Sequence, residues 1–135
     1  MKSNLGHLQI NIRLENLGFY KDLFTFLGWT TIYEEKGFIG LGCEQGSSLW
    51  FMAGEKDLSN DYDGRGMNHL AVAVEKQSDV DLTVEYLKQH KIEALFETPR
   101  HRAEFSAPGK TYYQVMFESP DKLLFEVSYT GPKDQ

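Results

Sequence analysis

Two histidines and one glutamate are the residues of this chain whose types and spacing could hold a metal ion. His7 opens the phrase GHLQINI near the N-terminus, and His69 opens the similar phrase NHLAVAV later in the chain. Both phrases alternate as half-buried strands do, so each histidine lies on the opposite face from the leucine that follows it. A repeated unit whose shared polar group is a histidine predicts two half-sites that meet at one metal.

Glu126 is the third candidate ligand, because it lies in the strongly apolar segment LLFEVSY. An ionised carboxylate in such a strand is costly unless it finds a cation or several hydrogen-bond donors. His69 shares its face with Ala71 and Ala73, and these small side chains leave room for a ligand. Two imidazoles and a carboxylate suit Fe(II), Mn(II), Ni(II) or Zn(II) and leave coordination positions open for substrate.

Each of these residues also has an ordinary structural explanation when it is taken alone. A histidine at the start of a strand is commonly a surface or hydrogen-bonded residue, and Glu126 could be an edge charge that discourages aggregation. Taken together, His7, His69 and Glu126 predict a centre for a divalent metal whose identity the sequence leaves open.

The elements that must position these residues follow the order βαβββ twice. Hydrophobic periodicity and turn residues predict these elements in turn: a strand over 6–14, a helix over 16–27, strands Thr30–Glu35, Phe38–Cys43 and Ser48–Ala53, then a strand His69–Glu75, a helix Ser78–Gln89 with Ser78 as its N-cap, and strands Ile92–Phe96, Thr111–Glu118 and Leu123–Tyr129. The predicted fold class is α+β, in which two βαβββ modules form a cupped, eight-stranded mixed sheet with helices outside. The modules cover about 5–54 and 67–130, joined by the polar linker 55–66 within one domain over 1–135.

Composition excludes several classes of partner. The net charge is −6 and the basic residues form no stripe, so we expect no nucleic-acid binding. No apolar run approaches the roughly 20 residues that cross a bilayer, and no signal peptide is predicted at the N-terminus. The single cysteine, Cys43, excludes an internal disulfide and fits a reducing compartment. We therefore expect a cytoplasmic protein whose partner is a small molecule.

Two further segments resemble motifs of the vicinal-oxygen-chelate superfamily, which includes glyoxalase I, bleomycin-resistance proteins and ring-cleaving dioxygenases. The segment FYKDLFTFLGW (19–29) resembles the first-helix pattern of that superfamily, and YYQVMFESPD (112–121), leading to Glu126, resembles its closing hairpin. The resemblance spans nearly the whole chain. It implies metal ligands at His7, His69 and Glu126, chemistry on a small molecule chelated through vicinal oxygens, and a homodimer.

One departure from the superfamily bears on the reaction. Glyoxalase I enzymes take a fourth ligand, usually glutamate, from the last strand of the first module. Superposing Leu49–Met52 on Leu124–Val127 predicts Phe51 at that place, so glyoxalase I activity itself is not expected.

A three-ligand set resembles extradiol dioxygenases and fosfomycin-resistance thiol transferases; in the latter a threonine stands where this chain has Gln9. We expect a dioxygenase-like enzyme or a glyoxalase-like lyase. A fosfomycin-type thiol transferase and a metal-free binding protein of the bleomycin-resistance type remain as alternatives.

The remaining site predictions concern acid–base and substrate contacts. Candidate acid–base groups are Tyr112, Tyr113 and His101, although neighbouring tyrosines on one strand point to opposite faces. A loop from Pro99 to Gly109 is expected to cover the cleft, or else to be a solvated basic loop. Side chains predicted to contact substrate are Gln9, Asn11, Phe51, Arg100 and Arg102.

Overall fold

The chain consists of two compact units, each with its own sheet and helix. The computed structural model describes residues 1–134; the first unit is Met1–Ser59 and the second begins at Asn60. Each unit follows the order βαβββ, which confirms the predicted α+β class and the two modules. None of the helices in residues 1–134 is long and apolar enough to cross a membrane.

The first unit is a four-stranded mixed sheet with one helix against one face. Its elements are β1 (His7–Ile12), a 3-10 turn (Leu14–Asn16), α1 (Leu17–Phe26), β2 (Thr30–Glu35), β3 (Phe38–Gly42) and β4 (Ser48–Ala53). The strand order is β1-β4-β3-β2, and only β1 and β4 run parallel.

The core of the first unit lies between α1 and its sheet. Tyr20, Leu23 and Phe24 recur at helical spacing and are fully buried. The Tyr20 ring stacks on Phe51 of β4 with centroids 4.3 Å apart. The helix ends at Phe26, and Gly28, just beyond the C-cap Leu27, has a φ of +88°, the left-handed conformation that glycine adopts without strain.

The second unit repeats the arrangement. Its elements are β5 (Leu70–Val74), α2 (Gln77–Gln89), β6 (Leu95–His101), a 3-10 turn (Ala103–Phe105), β7 (Lys110–Glu118) and β8 (Leu124–Pro132). The strand order is β5-β8-β7-β6, again with only the first pair parallel.

Strand alternation divides the second sheet into an apolar face and an open face. Alternate residues of β7 and β8 form the buried apolar row beside α2, namely Val115, Phe117, Phe125 and Val127. The residues between them point the other way, and they include Tyr112, Gln114 and Glu126. The open face therefore collects the polar side chains of these strands.

The bounds predicted for the strand that follows α2 are wrong. The strand expected at Ile92–Phe96 is instead β6, so Pro99, Arg100 and His101 belong to a strand and not to a covering loop. Pro99 lies where the β6–β7 register shifts, a position that needs no ladder N–H, and the strand continues past it because Arg100 and His101 pair with β7.

The second helix begins one residue earlier than predicted, and its N-cap is Lys76 instead of Ser78. The Asp79 carboxylate accepts a hydrogen bond from the Lys76 backbone N–H at 3.1 Å. This acidic side chain in the first turn stabilises the earlier start.

Candidate functional site

A cleft of about 610 Å³ opens on the polar face of the second sheet. Every residue that lines it belongs to the second unit: Tyr62, Asp63, Asn68, His69, Phe96, Arg102, Phe105, Tyr112, Gln114, Met116, Leu124 and Glu126. The volume is in the range that small-molecule sites occupy.

Glu126 lies at the floor of the cleft with both carboxylate oxygens engaged. Its side chain is only 4% exposed. Oε1 accepts a hydrogen bond from the Tyr112 hydroxyl on β7, and Oε2 lies 3.2 Å from Nε2 of His69. Ala71 pairs with Glu126 across β5 and β8 and presents no bulk above the carboxylate. One oxygen of this buried carboxylate therefore lies beside the His69 imidazole at the cleft.

The separation of these two atoms fits a shared metal ion. Ligand atoms about 2.1 Å from one ion, at a right angle to each other, lie about 3 Å apart. Neutral imidazole nitrogen and carboxylate oxygen are also a donor set that divalent first-row metals accept. Within residues 1–134 no group of three or more His, Cys, Asp or Glu side chains has the geometry of a metal site. The structure thus brings two of the predicted ligands together in the second unit, while His7 belongs to the first.

His7 occupies in the first unit the place that His69 occupies in the second. His7 pairs with Ser48 where β1 meets β4, and its side chain is exposed. Gln9 and Asn11 follow on the same exposed face, where the Gln9 amide contacts the sulfur of Met52. These predicted substrate contacts therefore share one open face of the first sheet with His7.

Strand registers correct the predicted superposition of the two modules. Leu8 pairs with Leu49 in the first unit, and Leu70 pairs with Phe125 in the second. Leu8 is equivalent to Leu70, so the residue that follows its β4 partner is equivalent to Glu126. That residue is Trp50, one position before the predicted Phe51. A shift of one residue on a strand reverses the face of every side chain.

Phe51 consequently faces the core of the first unit. It is fully buried and packs against Tyr20 and Phe24 of α1. The prediction that Phe51 occupies the place equivalent to Glu126 is wrong, because alternation directs Phe51 toward the helix. Trp50 points to the open face, where it contacts Phe38 and Tyr33.

Arg102 is the cationic residue of the cleft. Its Nη1 donates to Oε1 of the buried Gln114 at 3.0 Å, and its Nε donates to Oε1 of Glu104 at 2.6 Å. The guanidinium carbon lies 4.8 Å from the centroid of the Phe105 ring, a cation–π geometry. The backbone N–H of Glu104, and then Arg102, hold the pKa of the Glu104 carboxyl below its ordinary value. These contacts use two of the five N–H donors of Arg102, which leaves others for a ligand.

Tyr113 and His101 are not among the residues that line the cleft. The Tyr113 hydroxyl donates to Oδ1 of Asp81 on α2 at 2.7 Å, and the His101 ring stacks on Tyr113 at 4.4 Å. Nδ1 of His101 is 2.6 Å from the Thr111 hydroxyl. Burial, and then the positive charge of Lys133, lower the pKa of His101.

Arg100 also stands apart from the residues of the cleft. Its Nη1 lies 3.8 Å from the Glu97 carboxylate, which is largely exposed. Of the two arginines predicted to hold substrate, the structure places Arg102 in the cleft.

Three tyrosines of the second unit bind carboxylates and hold their protons tightly. Burial, and then the hydrogen bond to Glu126, raise the pKa of Tyr112. Burial, and then the bond to Asp81, raise the pKa of Tyr113 to about 12. The hydrogen bond to Glu118, 2.5 Å long, raises the pKa of Tyr62 to about 12. Each phenol therefore acts as a hydrogen-bond donor at neutral pH.

Sequence reasoning missed several residues of the cleft. Gln114 and Met116 could have been found, because they alternate with Tyr112 along β7 and so share the face of Glu126. Tyr62 and Asp63 lie in the predicted linker between the modules, and in the structure they line the cleft of the second unit. No local pattern marks them, and the Tyr62 hydroxyl is held by Glu118, which lies on the distant strand β7.

Comparison with known proteins gives structural neighbours and no close sequence relative. No protein-family model matches the chain, and no curated protein matches it by sequence. A candidate glyoxalase from Bacillus halodurans superposes with a TM-score of 0.79 at 24% identity, over 93% of this chain and 94% of that one. A glyoxylase/bleomycin resistance protein/dioxygenase domain from Frankia superposes at 0.70 and 20%, over 97% and 100%. The fold is that of the vicinal-oxygen-chelate superfamily.

Another neighbour with the vicinal-oxygen-chelate fold has been seen with a metal and a ligand. It is the fosfomycin resistance protein FosX of Listeria monocytogenes, with a TM-score of 0.65 and 23% identity over 96% of this chain and 94% of that one. A variant of FosX was crystallised with Mn(II) and 1S,2S-dihydroxypropylphosphonic acid. Divalent metal use therefore occurs on this fold.

Proposed function

We propose that this protein is a metal-dependent enzyme that acts on a small molecule chelated through two neighbouring oxygens. The observation that carries the proposal is the pair formed by His69 Nε2 and Glu126 Oε2, 3.2 Å apart at the floor of the cleft. The sequence also predicts His7 as a metal ligand, and metal binding by its alanine variant tests that prediction. A divalent metal bound there would polarise the substrate oxygens and stabilise negative charge that develops on them.

The other residues of the cleft have roles that follow from their contacts. Tyr112 holds the Glu126 carboxylate by a hydrogen bond and keeps its second oxygen turned toward His69. Arg102 offers N–H donors to an anionic substrate group. Phe96 and Phe105 supply apolar wall that displaces water from the bound molecule. An anionic substrate with vicinal oxygens, such as the dihydroxy phosphonate seen with FosX, fits this set of groups.

Metal analysis tests the proposal directly. Protein stripped with chelator and reloaded separately with Fe(II), Mn(II), Ni(II) and Zn(II) should bind one ion, and His69→Ala, Glu126→Ala and His7→Ala should each weaken binding. His90→Ala is the matched control, because His90 lies at the end of α2 and its ring bonds the Tyr86 carbonyl. Wild-type protein that retains no more metal than Glu126→Ala with any of the four ions would refute the metal centre.

The identity of an active ion separates the reaction classes. Oxygen uptake with Fe(II) would favour dioxygenase-like chemistry, because that reaction needs a redox-active metal. Turnover with redox-inert Zn(II) would favour a glyoxalase-like lyase or a fosfomycin-type transferase.

A second candidate function is metal-free binding of a small molecule, and the aromatic lining of the cleft favours it. Tyr62, Phe96, Phe105 and Tyr112 all line the cleft. A binding protein of this kind should hold its ligand equally well in the presence of chelator and in the His69→Ala variant. An enzyme of the proposed kind should lose ligand affinity in both cases.

We also propose that the protein is a cytoplasmic homodimer, on the resemblance to the superfamily and the single cysteine. Sedimentation equilibrium of the purified protein tests the dimer. A monomer at micromolar concentration would contradict it.

A further inference from the structure

Asn68 precedes His69 in the chain, and its side chain makes two hydrogen bonds of different kinds. One amide atom lies 2.7 Å from Nδ1 of His69, and the other lies 2.9 Å from the backbone carbonyl of Tyr62. A carbonyl oxygen only accepts, so the atom facing Tyr62 must be the NH₂ group. The orientation of the amide follows, and its oxygen faces the imidazole.

The orientation of Asn68 determines which nitrogen of His69 carries a proton. The amide oxygen accepts and cannot donate, so Nδ1 must supply the hydrogen of the 2.7 Å contact. In a neutral imidazole the second nitrogen, Nε2, then carries a lone pair. That lone pair points at Oε2 of Glu126, the atom 3.2 Å away.

Two acceptor atoms at this separation can share one cation. The Nε2 lone pair and the Glu126 carboxylate repel each other unless a cation is shared or a proton is taken up. A shared metal ion relieves the repulsion and uses both lone pairs. Asn68 thus prepares His69 to bind a metal, because it removes the tautomer in which Nε2 would carry hydrogen.

We propose that Asn68 is a positioning residue that presents the Nε2 lone pair of His69 to a divalent metal. The proposal rests on the metal-dependent function proposed above. Partners that orient a histidine ligand in this way change metal affinity by about 10- to 100-fold when they are removed. The second bond of Asn68, to the Tyr62 carbonyl, anchors this orienting group to the segment that precedes β5.

Calorimetric titration of chelator-treated protein with Zn(II) and Mn(II) tests the proposal. Asn68→Ala should weaken metal binding by about 10- to 100-fold. Asn68→Asp should stay within a few-fold of wild type, because a carboxylate still accepts the Nδ1 hydrogen. Asn60→Ala is the matched control: Asn60 lies in the same segment and donates to the Lys122 carbonyl at 2.9 Å, outside the lining of the cleft. This control should bind metal as wild type does.

A second readout needs no metal at all. Nitrogen NMR of metal-free protein at about pH 9, well above the ordinary histidine pKa, reports the tautomer of each imidazole. His69 should be protonated on Nδ1 in wild type and in Asn68→Asp. Its signal should shift toward the Nε2-protonated form in Asn68→Ala.

The outcomes distinguish this inference from the function on which it rests. If wild type binds metal and Asn68→Ala binds it equally well, the positioning role is refuted and the metal centre stands. If Asn60→Ala loses as much affinity as Asn68→Ala, the effect comes from the segment and the role of Asn68 is again refuted. If wild type binds neither ion, the metal centre and the inference fail together.

Discussion

Replacement of Tyr112 by phenylalanine removes one hydroxyl from the floor of the cleft and tests how the buried carboxylate is stabilised. That hydroxyl donates to Oε1 of Glu126, whose side chain is 4% exposed, so water does not readily replace it. A hydrogen bond to a charged group contributes about 1.5–3 kcal/mol net, and this substitution leaves the buried acceptor atom without that donor. We expect the free energy of unfolding to fall by about 2 kcal/mol.

The neighbouring tyrosine supplies a matched control. Tyr113→Phe removes the same atom from the same strand, but its acceptor, Asp81, is on the exposed surface of α2 and can bond to water instead. We expect this variant to lose less than about 1 kcal/mol, since exposed pairs contribute little. The difference between the two variants isolates the burial of the acceptor.

Urea denaturation of chelator-treated protein measures both losses, and thermal unfolding provides a second estimate. At this chain length 1 kcal/mol corresponds to about 4 °C, so Tyr112→Phe should lower the Tm by about 8 °C and Tyr113→Phe by less than about 4 °C. In a double-mutant cycle with Glu126→Gln, the coupling energy should be about 1 kcal/mol, because a neutral acceptor retains only part of the bond. If Tyr112→Phe costs no more than Tyr113→Phe, the Glu126 carboxylate does not depend on this donor and the reasoning is wrong.

Three further predictions concern other contacts. Asp81→Ala should lower the pKa of Tyr113 below about 12 by the part that the Asp81 carboxylate adds to burial, and absorbance of the phenolate at alkaline pH would show it. Because the pKa is raised in the folded protein, the contribution of Tyr113 to folding is complete below about pH 10 and is lost as the pH rises toward 12, and this pH dependence should be weaker in the variant. Arg102→Ala should lower the free energy of unfolding in denaturant by about 1–3 kcal/mol, because Oε1 of Gln114, a residue that is 3% exposed, loses its donor. An unchanged midpoint of unfolding would contradict this contact. Gly40→Ala should destabilise the protein by about 1–3 kcal/mol, because a Cβ there would lie 2.6 Å from the ring of Trp50, its partner on β4. A melting temperature equal to that of wild type would show that the ring moves aside without cost.

Most elements could be predicted from the sequence because their periodicity is strong and their ends carry turn residues. The strands Thr30–Glu35 and Ser48–Ala53 have the predicted bounds. The start of α2 and the path of β6 could not be predicted, because each depends on a competition that local sequence does not decide. Asp79 outcompetes Ser78 in stabilising the helix start, and pairing with β7 carries β6 past Pro99.

The site predictions also divide into those that a single strand supports and those that depend on strand pairing. Alternation along single strands separates Tyr112 from Tyr113 and predicts the face of Glu126, and these local inferences agree with the structure. The residue-by-residue alignment of β4 with β8 could not be predicted from the sequence. This alignment depends on which residue of β4 pairs with β1. The predicted alignment was shifted by one residue, so it put Phe51 where the structure has Trp50.

The corrected register shows that the two units have the same strand pairing but different side chains at the position of Glu126. In the second unit the residue opposite Ala71 is Glu126, a carboxylate with lone pairs that can bind a metal. In the first unit the matching residue is Trp50, whose indole N–H only donates and so cannot be a ligand. Gly40 is the cross-strand partner that gives the Trp50 ring room to lie across the sheet. The duplicated backbone therefore provides two equivalent positions, and the one in the second unit carries the side chain that can bind a metal.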